Sequence, residues 1–122
     1  MKVKKILLAL VILVVLTACN IEGYENISIT EAKQLIDDSE VTILDVRTPE
    51  EYNEGHIPNA TLLPLQELEG RLNELNKEET FLIVCRSGNR STQASKMLTE
   101  HGFANVYNMT GGMNDWTYEV IN

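Results

Sequence analysis

Cysteine and histidine are scarce in this chain. Its 122 residues include two cysteines, Cys19 and Cys85, and two histidines, His56 and His101. They lie far apart and without ligand-like neighbours, so neither zinc spacing nor a disulfide framework is available. Basic residues are few as well: ten Lys and Arg stand against eighteen Asp and Glu, a net charge of −8. That balance argues against nucleic acid as a partner and against electrostatic binding to anionic lipid. No internal repeat and no low-complexity stretch occurs. Long apolar runs are also missing. The longest, Ile6 to Leu16, has eleven residues, whereas a membrane-spanning helix needs roughly 20. What remains is enough for one small domain.

The amino-terminal segment is of another kind. "MKVKK" is basic, the apolar run follows, and "LTAC" (Leu16 to Cys19) ends it with small residues. This is the pattern of a secretory signal, and "LTAC" resembles the lipobox of bacterial lipoproteins. The resemblance implies cleavage before Cys19 and a lipid on that cysteine. Residues 1–18 are then a signal peptide, 19–25 a tether, and 26–122 the domain. The domain is expected to be extracytoplasmic, a monomer, and held to the bacterial membrane by its lipid alone. All eighteen acids but only seven of the ten bases follow Ala18, so the mature chain carries −11.

Strands and helices alternate in the remainder. "VTILDV" (41–46) and "TFLIV" (80–84) are apolar and rich in β-branched residues, as strands buried on both faces are. "NVYNM" (105–109) reads as the last strand, and "TLLPL" (61–65) as a short one interrupted by Pro64. Ser28 with Glu31, and Thr48 with Glu51, have capping-box spacing, and Pro49 suits a first helical position. Helices are expected over 30–37, from 49, over 65–75 despite Gly70, over 91–100, and after Gly112. This alternation predicts an α/β fold: a small, mostly parallel sheet of about five strands with helices on both faces. Ligands of such sheets bind outside the carboxyl ends of the strands.

Cys85 stands at such an end, at the start of "CRSGNRS" (85–91). If Cys19 is acylated, Cys85 is a lone cysteine in an exported protein, either an apolar filler or a reactive thiol. Gly88 permits a positive φ and Asn89 tolerates one. A curl from Cys85 to a helix starting at Ser91 points successive amides inward as an anion cradle. The helix N-terminus adds partial positive charge, and Arg86 and Arg90 add two full charges. Each effect favours a thiolate over a thiol and an anionic substrate beside it.

"CRSGNRS" resembles the active-site loop of rhodanese-like sulfurtransferases. "LDVRTPEEYNEGHIPNA" (44–60) is similar to that family's amino-terminal signature, and "GGMNDW" (111–116) to its carboxyl-terminal double glycine and tryptophan. The segments occur in the family's order, with Asn59 where a glycine is usual. The resemblance implies a three-layer sandwich and a double displacement. A Cys85 persulfide forms from thiosulfate or a similar small anionic sulfur donor, then passes its sulfur to a thiol acceptor. No cofactor or metal is implied. Arg86 and Arg90 match donor-binding positions, and the amides of Arg86, Ser87, Gly88, Asn89, Arg90 and Ser91 hold the persulfide. Asp45 and Arg47 are expected as a supporting ion pair, His56 as a structural hydrogen-bonding group, and Trp116 as packing for the last helix. Three alternatives stay open: a persulfide or redox carrier, a non-enzymatic binding module, and a cysteine-dependent phosphatase. The last normally has five residues between Cys and Arg, where this loop has four.

Overall fold

The computed structural model describes residues 23–122. The expected signal segment, Cys19 and the first residues of the tether lie outside the described residues. Five strands, β1 (Glu25–Ile27), β2 (Thr42–Asp45), β3 (Thr61–Leu62), β4 (Phe81–Val84) and β5 (Val106–Met109), form one sheet in the order β1-β5-β4-β2-β3. Every pairing is parallel, so the sheet is wholly rather than mostly parallel. The four residues of central β4 are at most 1% exposed. Each contributes about 2 kcal/mol of apolar burial, which is why this run has no polar alternation.

Five α-helices cover the sheet: α1 (Ile29–Asp37), α2 (Pro49–Glu54), α3 (Leu65–Leu68), α4 (Asn89–Glu100) and α5 (Gly112–Asp115). Side chains alternate along β4. Phe81, Ile83 and Cys85 join Leu44, Leu68, Ala94 and Leu98 beneath α3 and α4. Leu82 and Val84 join Ile27, Ala32, Ile43 and Met109 beneath α1, α2 and α5. The two apolar clusters make the three-layer α/β architecture.

Both expected capping boxes are present. Ser28 caps α1 with Glu31, and Thr48 caps α2 with Glu51. Two expectations are corrected. The helix foreseen over 65–75 is α only to Leu68 and continues as a 3₁₀ segment, Glu69–Glu74, containing Gly70; glycine disfavours the α-helix interior. Helix α4 starts at Asn89 rather than Ser91. Gly88 alone adopts the left-handed conformation, φ 100°, so the reversal needs one residue and Asn89 is already helical.

The chain order locates a crevice. After β2 it crosses to the α2 face and moves out to edge strand β3. After neighbouring β4 it crosses to the α4 face and returns to β5 on the other side. The loops leaving β2 and β4 therefore diverge onto opposite faces, and the gap between them is the natural ligand site of such a sheet.

Candidate active site

Cys85 leaves β4 at this gap. Its side chain is fully buried, although the residue lies just past the end of the strand. The backbone of its own loop folds over it. The Gly88 N–H donates to Cys85 Sγ at 3.0 Å. The thiol lies 3.3 Å from Ser91 Oγ and donates to it, and that hydroxyl donates to the Gly88 carbonyl at 3.1 Å. Thr92 Oγ1 donates to the same carbonyl at 2.7 Å. Because Thr92 keeps the carbonyl satisfied, the Ser91 hydroxyl can turn its proton toward a thiolate without stranding it. Arg86, Ser87 and Asn89 form the exposed outside of the loop.

The loop is held from behind by α5. The N–H groups of Met113 and Asn114 donate to the carbonyls of Cys85 and Arg86 at 2.8 and 2.9 Å. These bonds turn both carbonyls away from the sulfur. They need a backbone that approaches closely: a Cβ on Gly112 would stand 2.5 Å from the Arg86 oxygen and 2.6 Å from the Cys85 oxygen. Gly112 also has φ 60°. The "GG" is therefore the floor on which the cysteine loop rests.

Two ion pairs border the gap. Arg47 Nε lies 2.9 Å from Asp45 Oδ1 and its Nη2 2.7 Å from Oδ2, with a further bond to the Gly55 carbonyl at 2.9 Å. Both residues are buried, so the expected pair forms and closes on itself. Arg90 is paired as well. Its Nη1 and Nη2 donate to the two carboxylate oxygens of Glu51 at 2.6 and 2.9 Å. That hydrogen-bonded guanidinium, aided by Thr48, lowers the Glu51 pKa from 4.5 to about 2. Glu51 in turn holds Arg90 above its ordinary value, with smaller contributions from Cys85 and Asp45. Arg86 forms no ion pair among the described residues.

A cavity of about 370 Å³ opens beside Arg90, lined among others by Val46, Arg47, Thr48, Pro64 and Leu65. A larger one, about 470 Å³, lies at the opposite pole, by Gly23, Tyr24, Ala104 and Asn105. It sits at the amino ends of β1 and β5, away from the cysteine loop.

Residues 28–119 match the family described as Rhodanese-like domain. The chain belongs to the rhodanese-like domain family. Its fold agrees with a rhodanese-like domain protein from Staphylococcus aureus, 40% identical, with a TM-score of 0.72 over 78% of this chain and 93% of that one. A Pseudoalteromonas translucida relative named thiosulfate sulfurtransferase GlpE is 36% identical over 94 residues, 77% of this chain and 90% of its own length. A Bacillus subtilis protein, YrkF, named a candidate sulfur carrier, is 43% identical over 99 residues, which are 80% of this chain and 54% of YrkF. That match spans about half of the relative. Residues 4–20 match the prokaryotic membrane lipoprotein lipid attachment site. Among the described residues, no helix is long and apolar enough to cross a membrane.

In this rhodanese-like domain the Gly88 amide and the Ser91 hydroxyl meet the Cys85 sulfur, while Arg86, Ser87 and Asn89 face outward. Asn59, where the family usually has glycine, has φ 69°; asparagine tolerates that conformation better than most residues. His56 stacks on Tyr52 at 3.6 Å, and its Nδ1 meets the Tyr52 carbonyl at 2.9 Å. It serves the turn and lies apart from the sulfur. Trp116 is half-buried, packs on the α1–α2–α5 cluster and donates to the Glu119 carbonyl at 3.1 Å. Glu51 and the Met113 and Asn114 amides were missed by sequence reasoning. Glu51 was legible only as a cap. The usable signal was topological: once β2 and β4 are neighbours, the capping carboxylate of the helix after β2 lies beside the basic loop after β4.

Proposed function

We propose that this domain is a sulfurtransferase that carries a sulfane sulfur on Cys85. The observation that carries the reading is the Gly88 amide donating to Sγ at the start of α4. An amide donor at a helix N-terminus suits the electron-rich outer sulfur of a persulfide. With thiosulfate, the Cys85 thiolate attacks the outer sulfur. A Cys85 S–S bond forms, the sulfur–sulfur bond of the donor breaks, and its electron pair leaves with sulfite. The resulting persulfide anion takes up the loop amides and the Ser91 hydroxyl. An acceptor thiolate then attacks the outer persulfide sulfur and restores the Cys85 thiolate. The relatives named thiosulfate sulfurtransferases support this reaction class.

Sulfur carriage between proteins uses the same loop and differs only in the acceptor. The full burial of Cys85 favours keeping that reading beside turnover, because a covered persulfide is shielded from chance thiols. Phosphatase chemistry has less support: the loop is one residue short and Arg90 is committed to Glu51. The motif at 4–20 supports a lipid on Cys19 and an extracytoplasmic domain.

The test is an intact mass. The full chain in detergent, reduced and then exposed to thiosulfate, is expected to gain one sulfur atom, and Cys85→Ser to gain none. A wild type that gains nothing from thiosulfate or from a polysulfide would overturn the proposal.

A further inference from the structure

Of the two arginines in the cysteine loop, Arg90 is already neutralised. Glu51 grips it through both oxygens. Glu51 is itself fixed, because its Oε1 accepts from the Thr48 N–H at 3.2 Å and the Thr48 hydroxyl at 3.1 Å. It also sits in the first turn of α2, where the helix N-terminus favours an anion. This carboxylate therefore stays in place when a substrate arrives. The adjoining cavity follows the same trend. Val46, Pro64 and Leu65 give it apolar walls, Glu50 and Glu67 stand on its rim, and its other cation, Arg47, is paired with Asp45. Arg86 is left as the uncompensated positive charge of the loop.

We infer that Glu51 is a specificity-determining residue, weighting this site toward organic sulfane donors of lower charge than the thiosulfate dianion. The inference rests on the sulfurtransferase reading and narrows its donor class. An organic persulfide R–S–SH fits, with R in the apolar cavity. The Cys85 thiolate takes the terminal sulfur, giving Cys85–S–SH, and R–S⁻ leaves with the electrons of the broken bond. Thiosulfate remains usable but must approach a fixed carboxylate with two negative charges.

The experiment compares two donors that differ by one charge. Thiosulfate is a dianion and leaves as sulfite; methanethiosulfonate is a monoanion and leaves as methanesulfinate. Both hand one sulfane sulfur to a thiolate. Wild type and Glu51→Gln, as full chains in detergent, are compared by kcat/KM with cyanide as acceptor and by persulfide mass. Glutamine keeps one oxygen for the capping bonds, removes the charge, and gives up the acceptor that Arg90 Nη2 uses. At a separation of several ångströms in a solvated site, one removed charge is worth roughly threefold per substrate charge. Glu51→Gln is therefore expected to raise thiosulfate kcat/KM roughly tenfold and methanethiosulfonate about threefold. Added salt is expected to slow thiosulfate use more in the variant than in the wild type, where Arg86 is the loop's one cation left unpaired among the described residues.

An unchanged ratio between the donors would overturn the inference and leave the sulfurtransferase reading standing. So would an equal loss with both donors, which would make Glu51 a support for Arg90 and not a selector. Wild type that loads sulfur from neither donor sinks both readings. Should Glu51→Gln not fold, wild-type thiosulfate kinetics that fall steeply with salt would still refute a neutralised site.

Discussion

The two ion pairs at the mouth of the sheet use the same chemistry toward different ends. In Asp45–Arg47 the side chains are 1% and 6% exposed, and the partners are two residues apart. In Glu51–Arg90 they are 20% and 30% exposed, and the partners are 39 residues apart. The first pair is sealed and spends a further donor on Gly55, so it shapes the exit of β2. The second bridges the first turns of α2 and α4, the helices that follow β2 and β4, and stays partly exposed. A buried pair is costly to break, while a partly exposed pair contributes little stability. Location thus separates a structural pair from one whose consequence is the charge that a ligand meets.

The largest effect is expected at the sealed pair. Arg47→Met strands the Asp45 carboxylate in the interior, and urea unfolding should show a loss of about 3–5 kcal/mol. A loss below about 1 kcal/mol would erase the distinction between the pairs. Next comes the floor of the cysteine loop. Gly112→Ala forces a Cβ against two carbonyl oxygens in a left-handed backbone, at a cost of about 1–3 kcal/mol. Sulfur loading of Cys85 should fall much further than stability does. Intact loading would mean that the Glu51–Arg90 bridge alone holds the loop.

The smallest effect is a pH dependence. Glu51 titrates at about 2 in the folded chain against an ordinary 4.5. A depressed carboxylate stabilises the fold above its unfolded pKa, so this contribution is present above pH 4.5 and is lost as pH falls toward 2. Solvent screening keeps it below about 1 kcal/mol. Glu51→Gln should lack this component, seen as a flatter stability curve over that range. An identical curve in the two proteins would show that the pair does not stabilise the fold.

What was legible in the sequence was local. "FLIV" announced a central strand because burial on both faces removes alternation. Ser28–Glu31 and Thr48–Glu51 announced helix starts because a capping box closes within four residues. The cysteine loop was legible as a unit, since its charge, glycine and helix are contiguous. The rest depended on contacts distant in sequence. Nothing near Arg90 declares Glu51, and nothing in "GGM" declares that its amides turn the carbonyls of Cys85 and Arg86. The burial of Cys85 was hidden for the same reason: the cover is backbone, and backbone has no signature in composition. The start of α4 was misplaced because a single left-handed glycine makes the whole reversal.

The uniform direction of the five strands also gives the domain two unlike poles. Glu25 opens β1 at one pole, six residues after Cys19, and Cys85 emerges from β4 at the other. A lipid on Cys19 would moor the first pole, and so short a leash would leave the sulfur looking out from the bilayer. The molecules best placed to exchange sulfur with it are then those diffusing past the surface, and a membrane-embedded carrier would have to reach around the whole domain.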